Sequence, residues 1–494
     1  MLDLVFDDER TSASDFGARV QRAVGALRAL GVSDGDVVAL MLHNGPAALE
    51  LMLACRWLGA AWCPVNWHFK ADELGYILRD CQARLFVAEA PLLDELAAAL
   101  APGLQVLAAG REPSTRWPRW ESLRDAAAPN TEPAHPPRGA MLYTSGTTGR
   151  PKGIKRAPAT PEQAVRALAR SRHVYGFEPG MRALLSAPLY HSAPNSYAIV
   201  AAQTEGAMLV LERRFDPERT LALIERHRLT HAYLVPTMYV RLLRLPDAVK
   251  KRHDLSSMRF VGSTGSPCAP EVKRAMIDWW GPVIHEAYGS SELGYMTRLD
   301  SREALARPGS AGRALPDVEI RILDEAGAEQ AAGVPGLIYV RQRGIADFSY
   351  QGDDGARRAM DREGFLTMGD VGYLDRDGYL FIVDRKADMV ISGGVNIYPA
   401  EIEQALLAMP GVDDCAVFGI PDAEYGEALA AAVQPRAGAL PTVDEVKAWL
   451  RERLAGYKVP AVVTFHETLP REDTGKIFKR KLREPYWAGQ ARRV

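Results

Sequence analysis

Over its first 290 residues the chain alternates two hydrophobic periods, and that alternation limits what it can fold into. Short apolar runs, among them WCPV at 62–65, LFVAE at 85–89, HAYLVP at 231–236 and MRFVGS at 258–263, read as buried strands. Between them, residues 46–58, 71–80, 217–227 and 270–280 space their apolar side chains for one face of a helix. Strands separated by helices are joined by crossovers, so neighbouring strands run parallel and the class is α/β. Beyond residue 295 the texture changes. VEIRILD, GLIYVRQ and GYLFIVDR are separated by glycine turns and predict a more antiparallel, β-rich region. After Asp384-Arg385-Lys386 a compact run follows: helix 399–409, strands CAVFGI and AAAVQP, helix 443–455 and strand VVTFH. That tail has the size of one small α+β domain. The expected organisation is a large N-terminal part over 1–384, built of α/β subdomains plus a β-rich subdomain, and a small C-terminal domain over 385–494. The proline-rich segment 111–138 reads as a long surface connection.

Composition removes several function classes. Lys and Arg number 60 against 62 Asp and Glu, a net charge of −2, so a strongly basic nucleic-acid binder is not the default. The five cysteines are scattered, with no metal or redox spacing, which suits a reducing compartment. The opening residues MLDLVFDDER are acidic where a secretory signal would be basic. The longest uncharged stretch, 183–204, is interrupted by Pro188, His191, Pro194 and Asn195 and does not read as a membrane span. A cytoplasmic protein with small-molecule partners, no nucleic acid and no membrane span is expected, with a homodimer as the candidate assembly.

The chemistry is concentrated first in Tyr143-Thr144-Ser145-Gly146-Thr147-Thr148-Gly149-Arg150-Pro151-Lys152-Gly153, which follows an apolar strand. Glycines let the backbone approach an anion, hydroxyls and amides donate to phosphate oxygens, and Lys152 adds a point charge. The spacing is not that of a Walker A loop, because Pro151 precedes the lysine and Gly153 follows it. This stretch resembles the signature loop of the adenylate-forming superfamily, which includes acyl-CoA synthetases. The resemblance continues in order. Tyr288-Gly289-Ser290-Ser291-Glu292 is similar to the aromatic-Gly-x-Thr-Glu block, with Ser291 in place of Thr. Asp370 in TMGDVGYLDRDGY, Arg385 in FIVDRKADMVISGG and Lys476 in PREDTGK match further blocks.

The resemblance implies roles residue by residue. Thr144, Ser145, Gly146, Thr147, Thr148, Gly149 and Lys152 would cradle the phosphates of ATP. Gly265-Ser266-Pro267 would lie along the adenine, with Tyr288 stacked on it and Gly289 and Ser291 in the same motif. Glu292 would hold Mg²⁺, Asp370 the ribose hydroxyls, and Arg385 ribose and phosphate. Lys476 would be the catalytic lysine of adenylation, stabilising charge that gathers on the α-phosphoryl group. Gly393 and Gly394 would line the pantetheine channel of CoA once a mobile C-terminal domain turns about residues 384–388, where Ala387 replaces the usual Asp or Lys. Lys458 is a weaker pantetheine or phosphate candidate.

For the acid, Pro188-Leu189-Tyr190-His191 resembles one wall of the acid pocket, and His191 is a candidate there or a structural loop residue. No Asp or Glu lies in 183–204 to pair a substrate ammonium, so an amino acid is disfavoured. Tyr233, Thr237, Met238, Gly294, Tyr295 and Met296 are further pocket candidates and suit an aliphatic or aryl tail. The expected function is an AMP-forming acid–thiol ligase: a carboxylic acid, fatty or otherwise aliphatic first, is joined to CoA through an acyl-adenylate. The alternatives are an aryl acid of the benzoate or cinnamate type, or loading of a carrier protein. The short tail after Lys476 leaves no room for a carrier domain, and its Arg-Arg-Val end is not a peroxisomal signal. A nucleotide-binding regulator on a decayed enzyme is the non-enzyme alternative; no charged catalytic position is missing.

Overall fold

The computed structural model describes residues 1–144, 151–386, 388–393, 395–439, 441–471 and 477–488. Ser145, Gly146, Thr147, Thr148, Gly149, Ala387, Gly394 and Lys476 lie outside them. Two compact units emerge. The first holds Met1–Pro308, Leu315–Val318 and Gln342–Arg362; the second holds Gly309–Ala314, Glu319–Arg341 and Glu363–Val494.

The first unit contains two parallel sheets, as the alternating periods require. In the larger, the strands run in the order Ile284–Glu286, Phe260–Ser263, His231–Tyr233, Arg182–Leu185, Met208–Leu211, Asp3–Phe6 and Glu9–Thr11. Every pairing is parallel except the last, a hairpin with the N-terminal strand. The smaller sheet orders Ala61–Pro64, Val37–Met41, Leu85–Glu89 and Gln105–Ala109, all parallel. Its strands are apolar except at Glu89 and Gln105, the end residues of two of them, because both faces of a parallel sheet are covered. The flanking helices start where local chemistry dictates. Pro46, Pro217 and Pro270 each occupy a first helical position, where no amide partner is lost. Thr160 and Gln163 close a capping box on the helix Pro161–Tyr175.

One expectation is corrected. Residues 111–138 are not only a surface connection, for they contain the helix Trp120–Ala126. Trp120 is fully buried, and Arg124 donates to the buried Glu50 at 2.7 Å. The prolines on both sides conceal a short helix of about two turns, whose aromatic anchor supplies the burial.

The second unit is antiparallel where the glycine turns predicted it. Tyr379–Arg385 pairs with Asp370–Leu374, which pairs with Gly336–Gln342. The tail builds its own sheet from Val395–Ile397, Val390–Ser392, Gly426–Pro435 and Val412–Asp422, with Val462–Phe465 added parallel. Helices Pro399–Leu407 and Val443–Arg451 cover it, and Ile402, Leu406, Val446 and Leu450 pack against Val417, Ala431 and Val433. Among the described residues no helix is long and apolar enough to cross a membrane. All five cysteines are free and buried.

Candidate active site

In open parallel sheets, ligands bind beyond the carboxyl ends of the strands. The motifs expected to carry chemistry in the first unit lie there. Phe260–Ser263 runs directly into Gly265-Ser266-Pro267, and Ile284–Glu286 runs into Tyr288 and Gly289. Gly289 starts a two-residue strand that pairs with Gly294–Tyr295. A Cβ at Gly289 would sit 2.5 Å from the carbonyl oxygen of Gly294, so this hairpin closes only with glycine there.

The hairpin presents Glu292, which is buried. Its Oε1 accepts from Tyr350 OH at 3.1 Å and from Thr144 Oγ1 at 3.4 Å. A three-stranded antiparallel ribbon brings these groups together. Tyr143–Thr144 pairs with Lys152–Arg156, and that strand pairs with Phe348–Tyr350. Thr144 faces Lys152 in register, while Tyr350 faces Ile154. Lys152 Nζ pairs with Asp353 at 3.0 Å and lies 5.5 Å from the Tyr350 ring centroid. Arg156 donates to the carbonyl oxygens of Ser291 and Glu292, which pins the hairpin from below. Burial lowers the Arg156 pKa, and the nearby Glu292 and Asp347 charges oppose that shift. Tyr350 is driven the other way: burial and the Glu292 carboxylate raise its phenol, so it stays a donor.

Arg156, Tyr350 and Asp353 were not read from the sequence. Tyr350 and Asp353 lie some two hundred residues from Lys152, which both approach, and only the tertiary pairing reveals them.

A carboxylate and a hydroxyl at this spacing are hard oxygen donors and fit Mg²⁺, which typically takes one or two protein ligands beside phosphates and water. Among the described residues no group of three or more His, Cys, Asp or Glu could hold a metal ion.

His191 is half-buried at the N-cap of the helix Ser192–Ala202, with its ring 4.3 Å from Tyr190. Its neighbour Ser192 accepts from Ser291 Oγ at 3.1 Å, which brings this loop to the Glu292 motif. Beside them lies a small cavity lined by Tyr175, Tyr233, Gly262, Ser263, Thr264 and Tyr295. Tyr175 OH donates to Ala193 O at 2.9 Å and also meets Tyr295 OH. The Tyr197 ring packs edge-on against Tyr175 at 4.9 Å, and its buried hydroxyl has no hydrogen-bond partner among the described residues. Thr237 and Met238 fall on the next helix, Pro236–Leu243, with Met238 buried.

The second unit holds the remaining candidates. Asp370 is buried and accepts from Arg385 Nε at 3.1 Å, across neighbouring strands where the two residues face each other in register. Gly393 has φ +57 and turns the hairpin between Val390–Ser392 and Val395–Ile397. A Cβ there would lie 3.1 Å from the Tyr425 ring. Lys458 is paired with Glu401 at 2.6 Å.

The AMP-binding enzyme family profile matches residues 2–348, and the AMP-binding enzyme C-terminal domain profile matches residues 401–476. The chain belongs to the AMP-binding enzyme family. It is 36% identical to a feruloyl-CoA synthase of Amycolatopsis sp, over 96% of this chain and 93% of the relative. It is 32% identical to a long-chain-fatty-acid–CoA ligase of Mycobacterium tuberculosis, over 97% and 94%. Among solved structures it matches ATP-bound MatB from Rhodopseudomonas palustris with a TM-score of 0.87 and 31% identity, covering 98% of this chain and 95% of that one. The enzyme class expected from the sequence, an AMP-forming acid–thiol ligase of the adenylate-forming superfamily, stands on these relatives.

Proposed function

We propose that this AMP-binding family member activates a carboxylic acid as its acyl-adenylate on the first unit's strand ends and then passes the acyl group to CoA. The observation that carries the reading is Glu292, a buried carboxylate met by the Thr144 and Tyr350 hydroxyls, Thr144 being the first residue of the phosphate-donor stretch in sequence. Glu292 and Thr144 would hold Mg²⁺, which supplies charge neutralisation to the phosphates when bound. The loop residues 144–149 and Lys152 bind phosphate oxygens, Tyr288 and Gly265–Pro267 the adenine, and Asp370 the ribose hydroxyls with Arg385 beside it. In the first half-reaction a substrate carboxylate oxygen bonds to the α-phosphorus and pyrophosphate leaves. Lys476 stabilises the charge that accumulates there more in the transition state than in the ground state. In the second, the CoA thiol loses its proton, its sulfur bonds to the acyl carbon, and AMP leaves. Gly393 and Gly394 leave room for the pantetheine arm, and residues 385–494 turn about the 384–388 hinge between the two steps. The free, buried cysteines suit a reducing, cytoplasmic setting.

The identity of the acid has two readings. Aliphatic acids follow from the uncharged 183–204 wall. The tyrosine cluster favours aryl acids, because Tyr175, Tyr197, Tyr233 and Tyr295 offer ring edges and a buried hydroxyl to a planar, hydrogen-bonding tail. ATP–pyrophosphate exchange over a panel of fatty, benzoic and hydroxycinnamic acids, repeated with CoA, tests both. AMP-forming thioester synthesis with at least one acid is expected. Exchange that yields product only with a carrier protein would replace CoA as acceptor, and no exchange with any acid would sink the adenylation reading.

A further inference from the structure

The end of the tail carries two ion pairs that the chemistry above does not use. Arg471 and Ile477 face each other in an isolated antiparallel bridge, and Phe478 N–H donates to Pro470 O at 2.8 Å. The two ends of segment 472–476, which carries Lys476 in sequence, are therefore held side by side. On one side Arg471 pairs with Asp414, on the strand Val412–Asp422. On the other, Lys479 Nζ lies 2.8 Å from Glu403 Oε1, on the helix Pro399–Leu407. That same Glu403 oxygen accepts Val417 N–H at 2.7 Å, so the helix, the strand and the lysine meet at one atom. Less than a fifth of either partner's side chain in the Lys479–Glu403 pair is exposed. Asp384 and Asp388, at the hinge, add to the negative potential that keeps Lys479 charged against burial. Ile477 packs between the clamps with Leu469, Phe418 and Ile420.

We propose that Arg471 and Lys479 are positioning residues, clamping both ends of segment 472–476 so that Lys476 is delivered in one register for adenylation. This rests on the assignment of Lys476 to that half-reaction. A β-bridge fixes the separation of two chain ends but leaves their shared axis free to twist. Ion pairs to two different elements on either side remove that freedom before the substrate arrives, which is where preorganisation acts. Lys479 is placed to matter most, because its pair with Glu403 is the more buried of the two and Glu403 also accepts Val417 N–H.

The test uses the full-length enzyme with Lys479→Met, Arg471→Met and Lys479→Arg. Pyrophosphate exchange and CoA thiolysis of supplied acyl-adenylate are measured separately. A displacement of about 1 Å costs about 10²-fold, so Lys479→Met should lower kcat for exchange by roughly that factor while KM for ATP stays within about twofold. Thiolysis should remain at the wild-type rate, Lys479→Arg should recover most of the loss, and Arg471→Met should fall between. Amide exchange in the 466–482 peptide should quicken in Lys479→Met. If that variant does not fold, because Glu403 is left uncompensated, the Lys479→Met/Glu403→Gln pair removes both charges and is read the same way. Wild-type exchange rates in the clamp variants, or equal losses in both half-reactions, would overturn the proposal. Lys476→Ala separates this from the underlying reading: if it abolishes exchange while the clamp variants do not, the clamp alone is wrong. If Lys476→Ala leaves exchange intact, the lysine assignment itself falls.

Discussion

Glu292 and Asp370 are both buried acids expected at the nucleotide, and their surroundings differ in kind. Glu292 in the first unit is met by the neutral hydroxyls of Thr144 and Tyr350. Asp370 in the second is met by the guanidinium of Arg385. Arg156 donates to the Ser291 and Glu292 backbone carbonyls rather than to the carboxylate and offsets part of that charge, while the hydroxyls orient the carboxylate and leave the rest of its negative field to a hard cation. A guanidinium offsets the charge and leaves an oriented acceptor, suited to neutral donors such as sugar hydroxyls. On the proposed reading, Glu292 serves for charge and Asp370 for direction.

The largest effect should come from Glu292→Gln. The amide oxygen can still accept from Thr144 and Tyr350, so the fold is kept while the charge is lost. Loss of one such electrostatic group typically costs about 10²–10³ in rate, and adenylation should fall by that order. The apparent Mg²⁺ requirement should rise with it, measured by isothermal titration of Mg²⁺ with a non-hydrolysable ATP analogue. An unchanged Mg²⁺ affinity would assign Glu292 to hairpin architecture alone.

Asp370→Asn should act more gently and on a different parameter. A hydrogen bond involving a charged group contributes about 1.5–3 kcal/mol, so KM for ATP should rise roughly tenfold or more while kcat changes little. Arg385 is half exposed and is resolvated when its partner is neutralised, so thermal stability should barely move. Loss of kcat with KM unchanged would reverse the roles given to the two acids.

How these residues became visible follows from how they are encoded. Glu292 and Asp370 sit in short local motifs, YGSSE and TMGD, and their roles were legible through the resemblance of those motifs to family blocks; on the residues alone Glu292 reads as a surface acid and Asp370 as an exposed turn acid. The two parallel sheets were legible without it, since period-2 and period-3.6 patterns are local. Tyr350 and Arg156 carry no such mark. Their meaning arises from the pairing of Phe348–Tyr350 with Lys152–Arg156, a contact between distant segments that no short window contains. Trp120 was hidden differently, by prolines that outweigh a helix of about two turns in any window-based reading. Lys479 looked like one base among Lys481, Arg480 and Arg483 on a solvated face, and only its partner Glu403 distinguishes it.

A third buried acid sharpens the contrast by lacking any expected ligand. Glu212 accepts from Ser186 Oγ and from Thr220 Oγ1 at 3.2 Å, a hydroxyl environment like that of Glu292, with Arg219 Nε 3.6 Å away. Burial, only partly opposed by those hydrogen bonds, pushes it up to about 7 from its ordinary 4.5. Because the folded value is the higher one, its contribution is complete below pH 4.5, where both states hold the proton. It declines as the pH rises, since the unfolded chain releases its proton first, and is gone above pH 7. Glu212→Gln keeps a neutral group throughout. At pH 8 it should therefore be more stable than the wild type, by a few degrees of Tm at most, since Arg219 relieves part of the buried charge and about 1 kcal/mol moves Tm only about 2–4 °C in a domain of about 150–250 residues, and less in a longer chain. At pH 4.5 the two should melt together, and adenylation rates should match at either pH. A Tm difference independent of pH would mean that the hydroxyls around Glu212 already solvate its charge, and that the same could hold for Glu292 without any cation.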